Sequence, residues 1–235
     1  MLNINVTTEA CMAEFYLVRH GQASFGKADY DKLSELGFQQ SKWLGEYFRA
    51  RDIHFDGMIK GDLRRHHETG DGICEGMGYT PGFTVADGLN EFDFQSVAAA
   101  HLVNHPQDKV APGAKPAEYY RLLKKAMLSW SAGELDSALV NESWEEFEGR
   151  VKAVLNQLVS SEAKRVLVVT SGGAIAMMLR HILGYDAETV IKMNLQIKNA
   201  SFSQCFANPR GVHLGSFNNI PHLDHADRQH AITYS

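Results

Sequence analysis

Cysteine, long apolar runs and excess positive charge are all scarce in this chain. Its 235 residues hold three cysteines, Cys11, Cys74 and Cys205. They are odd in number, far apart, and form neither a C-x-x-C pair nor a zinc spacing. Lone buried thiols in a reducing, cytoplasmic setting are the expectation. Lys and Arg total 23 against 28 Asp and Glu, a net charge of −5. That balance argues against a nucleic-acid surface while leaving room for a small basic pocket. No apolar stretch approaches the roughly 18 residues of a membrane span, so no membrane partner is expected. The start, MLNINVTTEACMAEF, lacks a basic leader region and carries Glu9, which makes a poor signal peptide. Residues 1–12 are expected to be a disordered extension, and Met12 stands directly before AEFYLVRHG as an alternative start. There is no internal repeat and no low-complexity block.

What is present reads as one domain over residues 13–235. Apolar residues make up 44% and charged residues 22%, ordinary values for a globular chain. Phe15 to Val18 reads as a strand that ends abruptly in Arg19, His20 and Gly21. Ser34 looks like an N-cap for a helix carrying Leu36, Trp43, Leu44, Tyr47 and Phe48. Gly57 to Ile59 and Phe83 to Val85 are weaker strands, with a helix from about Arg65 to Met77 between them. Val166 to Val169 is a strand buried on both faces, because its branched residues do not alternate with polar ones. Ser171-Gly172-Gly173 breaks it, and Ala174 to Leu183 is helical up to Gly184. Ser201 to Phe206 and Val212 to Phe217 complete the strands. The alternation predicts an α/β three-layer sandwich with a largely parallel central sheet. Between about 94 and 160 the strand signals vanish, which predicts a helical insertion over the active-site end. Tyr119, Tyr120, Trp144 and Phe147 are expected in its core.

Ligands of parallel α/β sheets bind beyond the carboxyl ends of the strands. Four such ends here carry Arg19-His20-Gly21, Arg64-Arg65, Glu91 and Ser171-Gly172-Gly173. The last also offers backbone N–H groups at a helix start, which suit an anion. An imidazole, arginines, a carboxyl and an amide nest together suit a phosphate ester.

The motifs run in the order of a known family. LVRHGQ at 17–22 resembles the signature of the histidine phosphatase superfamily, the phosphoglycerate mutase-like proteins. Leu33-Ser34-Glu35-Leu36-Gly37 resembles that family's L-[ST]-x-x-G. Asp62 to Thr69 resembles D-L-x-R-A-x-x-T, with Arg65 as the matching arginine, and Leu89-Asn90-Glu91 resembles the L-x-E of the proton donor. Glu142-Ser143-Trp144 with Arg150-Val151 resembles its late helix. Val166 to Gly173 is similar to a strand and turn that usually read V-x-H-G-G. Phe217-Asn218-Asn219 with His222-Leu223 resembles the closing segment.

The resemblance implies hydrolysis of a phosphate monoester, without metal or other cofactor, on a small phosphorylated molecule. His20 would be the nucleophile, its tautomer fixed by a hydrogen bond on the other ring nitrogen. Arg19 and Arg65 would hold the phosphoryl oxygens, with Gln22, Ser171 and Gly172 as further phosphate-binding groups, and Glu91 would be the proton donor. Two positions depart from the pattern. Ser171 stands where the family has its second active-site histidine. A neutral hydrogen bond contributes roughly 0.5–1.5 kcal/mol against about 1.5–3 for a charged one, which predicts a rate loss on the order of tenfold. Gly26 stands where the family often has asparagine.

Other readings remain open at this level. A phosphate-ligand binder that keeps Arg19 and Arg65 without turnover is one. A serine esterase using Ser171 is another, although Val169 occupies the place of the first glycine in G-x-S-x-G. His222, His225 and His230 allow a weak metal reading. His66 or His67 could replace the missing imidazole, but they project about 100° and 200° round the helix from Arg65, which favours structural roles for both. His101, His105, Lys109, Lys115 and Arg121 are candidates for extra anionic groups of a substrate.

Overall fold

In the computed structural model, which describes residues 13–24, 31–80, 82–111 and 113–234, every residue from Val166 to Thr170 is buried. The extension expected at 1–12, with Cys11, and the position of Gly26 lie outside the described residues. Six strands form one sheet: β1 (Ala13–Arg19), β2 (Gly57–Lys60), β3 (Thr84–Val85), β4 (Arg165–Thr170), β5 (Phe202–Asn208) and β6 (Gly211–Asn219). Their order is β3-β2-β4-β1-β5-β6. The first four are parallel, and β5 runs antiparallel to both of its neighbours.

Alternate side chains of a strand leave on opposite faces, and the two central strands use both faces for apolar packing. Tyr16, Val18, Leu167 and Val169 meet Leu44 and Phe48 of α1 (Glu35–Ala50) and Ile73 of α2 (Arg64–Met77). Phe15, Leu17, Val166 and Val168 face the larger cluster on the other side. It is built by α3 (Phe94–Asn104), α4 (Pro116–Ser131), α5 (Trp144–Val159), α6 (Gly172–Leu183) and α7 (Ala187–Asn194). The result is three layers with a core on each side of the sheet. Each fully buried large side chain contributes about 1.5–3 kcal/mol.

Local signals explain the helix boundaries. Ser34 Oγ accepts the Gly37 N–H at 3.0 Å, capping α1. Ser143 and Glu146 form a reciprocal capping box at the start of α5. Gly184 ends α6 in the left-handed conformation, at φ 73°. The helix α6 begins at Gly172, two residues before the expected start. The short α7 carries no strong periodic signal and was not expected.

Residues 94–160 contain no strand among those described. Within this stretch α3 packs on α4, whereas α5 packs on α6 and on the turn Asp87–Leu89. Trp144 and Phe147 are buried as expected. Tyr119 and Tyr120 are not. They are 42% and 39% exposed, because α4 turns Ala126, Met127 and Trp130 to the core instead.

Candidate active site

Register decides what the strand ends bring together. Arg19 pairs with Thr170 across β1 and β4, so the next residues, His20 and Ser171, leave the sheet side by side. The His20 N–H donates to the Thr170 carbonyl at 2.9 Å. Its own carbonyl accepts from the Ala200 N–H at 3.2 Å and from Asn199 Nδ2 at 3.3 Å. The backbone of the histidine is thus held from both neighbouring strands.

The His20 ring is 5% exposed, and Nδ1 lies 2.7 Å from the Gly21 carbonyl. A carbonyl can only accept, so Nδ1 carries the proton and Nε2 the lone pair. Burial, then Arg65, Arg19 and His66, hold the pKa of His20 well below the usual histidine range. The ring is neutral at physiological pH.

Arg65 is 9% exposed, and its Nη1 donates to Asp31 Oδ1 at 2.7 Å. Arg19 Nη1 donates to the carbonyls of Ile197 and, at 3.0 Å, Tyr234. Both guanidiniums are close enough to depress the His20 pKa. Thr69 Oγ1 accepts the Gly21 N–H at 3.0 Å and donates to the Arg65 carbonyl at 2.6 Å. This one hydroxyl joins the turn after His20 to the helix that carries Arg65.

Glu91 reaches the same place from the β3 side. Its Oε2 accepts the Gly173 N–H at 3.0 Å at the start of α6. Any side chain at 173 would put Cβ 2.2 Å from Glu91 Oε1, so the carboxyl approaches only because that residue is glycine. By accessible surface Glu91 is half-buried, yet its carboxyl is enclosed deeply enough that desolvation dominates and raises its pKa, against the lowering effect of the Gly173 N–H and the two arginines. Its loop is pinned by Thr170 Oγ1, which donates to the Leu89 carbonyl at 2.5 Å. Arg150 Nη1 adds bonds to the carbonyls of Gly88 at 3.1 Å and Asn90 at 2.7 Å. Arg150 is itself held by both oxygens of Glu142, at 2.8 and 2.7 Å.

Ser171 caps α6 in position but makes no capping bond; its Oγ lies 2.7 Å from His66 Nε2. Of the two readings of His66, the structure bears on position alone: the ring lies against the site. Its ring is fully buried, with its centroid 5.9 Å from that of His20. The first turn of α2 lies against the end of β4, so a side chain one position round from Arg65 still faces the site. His67 does point out, toward Asp62 at 3.1 Å. Gly172 lies under Asn194 and Arg19: a Cβ there would be 2.5 Å from Asn194 Oδ1 and 3.5 Å from Arg19 Nε. Gln22 is tied into the start of α1, its Oε1 accepting from Ser34 Oγ at 2.8 Å and its backbone N–H donating to Gln40 Oε1 at 2.8 Å.

The other candidates are dispersed. His101 is 3% exposed and bonded to Ser129 and Asp108, so it is not an open basic group. Lys109 and Arg121 line a separate cleft between Gln107 and Lys125. His222 is buried with neither ring nitrogen hydrogen-bonded among the described residues, and burial lowers its pKa to about 3. No group of three His, Cys, Asp or Glu side chains among the described residues is placed to hold a metal ion. The esterase reading finds an imidazole on Ser171, but His66 Nδ1 has no carboxylate or other partner among the described residues. Asp31, Asn194, Asn199 and the Ile197 and Tyr234 carbonyls were missed in the sequence. They lie outside the recognisable motifs, and their place depends on how the chain returns to the strand ends.

The sequence pattern of the histidine phosphatase superfamily (branch 1) matches residues 15–220. A protein of Hydrogenobacter thermophilus named "Putative phosphoserine phosphatase 2" is 26% identical over 201 residues, covering 82% of this chain and 89% of its own. Among solved structures, phosphoglycerate mutase from Bacillus anthracis superposes with a TM-score of 0.66 at 18% identity, covering 91% of this chain and 96% of that one. A mycobacterial glucosyl-3-phosphoglycerate phosphatase in complex with inorganic phosphate gives 0.59 at 22%, covering 89% and 99%. A phosphoserine phosphatase mutant from Entamoeba histolytica, in complex with phosphoserine, gives 0.58 at 16%, covering 90% and 99%. Fold, ordered motifs and family pattern agree, and the chain belongs to the histidine phosphatase superfamily.

Proposed function

We propose that this protein hydrolyses phosphate monoesters through a phosphohistidine on His20, without a metal ion. The observation that carries the reading is the neutral His20 ring, with Nδ1–H held by Gly21 and Nε2 without a partner among the described residues, beside Arg19, Arg65 and a carboxyl of raised pKa.

The Nε2 lone pair attacks phosphorus in line, and the bond to the ester oxygen breaks. Glu91 gives its proton to the departing alkoxide, producing the alcohol and a carboxylate. Arg19 and Arg65 neutralise charge that spreads over the three phosphoryl oxygens. Water then attacks phospho-His20, the Glu91 carboxylate takes its proton, and phosphate leaves with His20 and Glu91 restored.

The substrate class is a small phosphorylated molecule, and phosphoserine is the first ester to try, given the names of the relatives. The two described cysteines, Cys74 and Cys205, are buried free thiols with pKa values raised to about 11 and about 12, which supports a reducing cytoplasmic setting for the protein.

The test is p-nitrophenyl phosphate turnover with rapid quenching in alkali, where phosphohistidine survives. Wild type is expected to hydrolyse the ester and accumulate label on His20, and His20→Ala to do neither. Equal turnover by His20→Ala would sink the reading. Phosphate binding without turnover in wild type would make the protein a binder instead.

A further inference from the structure

His66 and Ser171 form a buried pair at the point where the nucleophile, the arginines and the start of α6 converge. Nε2 and Oγ are 2.7 Å apart, and neither side chain exposes surface. The His66 Nδ1 has no hydrogen-bond partner among the described residues. A buried, unpartnered ring nitrogen is unfavourable, so mutual satisfaction of two polar groups does not explain the ring's presence. Space for it comes from the turn after β2. A Cβ on Gly61 would fall 2.2 Å from His66 Nδ1 and 2.8 Å from Asn90 Oδ1. Ser171 is also the residue standing where the motif matches call for histidine. The imidazole absent from the end of β4 is present on α2, packed on the hydroxyl that replaces it.

Taking the phosphohistidine reading as its basis, we propose that His66 is a positioning residue of the phosphoryl site, its Nε2–H donating to the buried Ser171 Oγ so that the end of β4 and the Gly172–Gly173 amides at the start of α6 are held beside His20. A neutral imidazole has one N–H. Placing it on Nε2 leaves a lone pair against Gly61 and ties the ring to the first residue before α6. Burial first, then Arg65 and His67 on α2 and Lys60 on β2, favour its neutral form, and the His20 ring faces it with centroids 5.9 Å apart. A dianionic phosphoryl group opposes them and draws positive charge toward the pair. Because the setting excludes water, the hydrogen bond is stronger than it would be in solvent. His66 acts through Ser171 and not on the substrate itself.

The experiment measures kcat/KM for p-nitrophenyl phosphate and inhibition by orthovanadate, with thermal melts to report folding. The proteins are wild type, His20→Ala, His66→Ala, Ser171→Ala, Ser171→His and the exchange variant His66→Ala/Ser171→His. His66→Ala and Ser171→Ala are each expected to lose roughly tenfold to a hundredfold in kcat/KM and to bind vanadate more weakly in proportion. The exchange variant is expected to recover most of the loss, since it returns the ring to the strand end. Ser171→His alone, with two rings competing for one place, is expected to be slower than wild type. Wild-type kinetics in folded His66→Ala, or an exchange variant no faster than His66→Ala, would overturn the inference. Should His66→Ala not fold, Ser171→Ala with wild-type vanadate inhibition would overturn it equally. An inactive His20→Ala beside a fully active His66→Ala removes this inference alone. An active His20→Ala removes the phosphohistidine reading beneath it.

Discussion

Glu91 Oε2 accepts the Gly173 backbone N–H at 3.0 Å, joining the loop after β3 to the first turn of α6. The contact draws a carboxyl to the anion-binding end of a helix, yet burial outweighs that helix end and the nearby arginines, and the pKa rises.

Removing Glu91, the proposed proton donor, should hurt poor leaving groups most. Glu91→Gln is expected to lower kcat for phosphoserine by roughly 10²–10⁴-fold, with a smaller loss for p-nitrophenyl phosphate, whose leaving group needs little protonation. In wild type the protonated form is lost as pH rises through the raised pKa, so phosphoserine turnover should fall on the alkaline side of that value and p-nitrophenyl phosphate turnover much less. Equal losses on both esters in Glu91→Gln would remove Glu91 from the donor role.

Arg150 places Glu91 from a distance. Its fork joins Glu142 to the carbonyls of Gly88 and Asn90. Lysine cannot reproduce that planar geometry. Arg150→Lys is expected to lower kcat for phosphoserine by about tenfold with little change in KM, on the scale of one charge-assisted hydrogen bond. A rise in KM at unchanged kcat would contradict this.

The chain from Ala231 to Tyr234 passes beneath the phosphate clamp. Gln40 Nε2 donates to the Ala231 carbonyl at 2.6 Å and to Thr233 Oγ1 at 3.0 Å, the Asn199 N–H donates to the Thr233 carbonyl at 2.9 Å, and Arg19 reaches the Tyr234 carbonyl at 3.0 Å. Deleting residues 232–235 should loosen Arg19 and weaken orthovanadate inhibition about threefold to tenfold, the cost of ordering one long side chain. Unchanged inhibition would show that the Tyr234 carbonyl is not needed to orient it.

Three buried histidines, His20, His66 and His222, have pKa values lowered by desolvation. Above about pH 6.5 folded and unfolded chains are both neutral at these rings. Below it the unfolded state takes up protons that the folded state refuses. Stability is therefore full above pH 6.5 and falls as pH drops, by about 1.4 kcal/mol per pH unit for each ring. Urea unfolding of His222→Leu between pH 6 and 5 should show a slope smaller by one such increment. An unchanged slope would mean that His222 titrates as in water.

Most of the framework could be read without coordinates. The unbroken apolar run Val166 to Val169 implied a strand covered on both faces, and it is the sheet's central β4. Arg19, His20, Arg65 and Glu91 were legible because Arg19 ends a strand, His20 follows it, Arg65 lies in the first turn of the helix after one and Glu91 comes one short turn after β3, so chain order alone fixes the end of the sheet on which each lies. Ser34 and Gly184 were legible because caps act within a few residues of the helix they bound.

His66, Asn194 and the Tyr234 carbonyl were decided only by tertiary structure. An angle on a helical wheel gives direction relative to the helix's own axis. It does not say which wall faces each direction, and here the start of α2 lies against β4 and turns His66 onto Ser171. Motif and local periodicity determined the fold and the phosphate chemistry of this chain, because both depend on neighbours in sequence. Where the His66 ring comes to lie depends on the packing of one helix against a strand more than a hundred residues away, and that only the folded molecule decides.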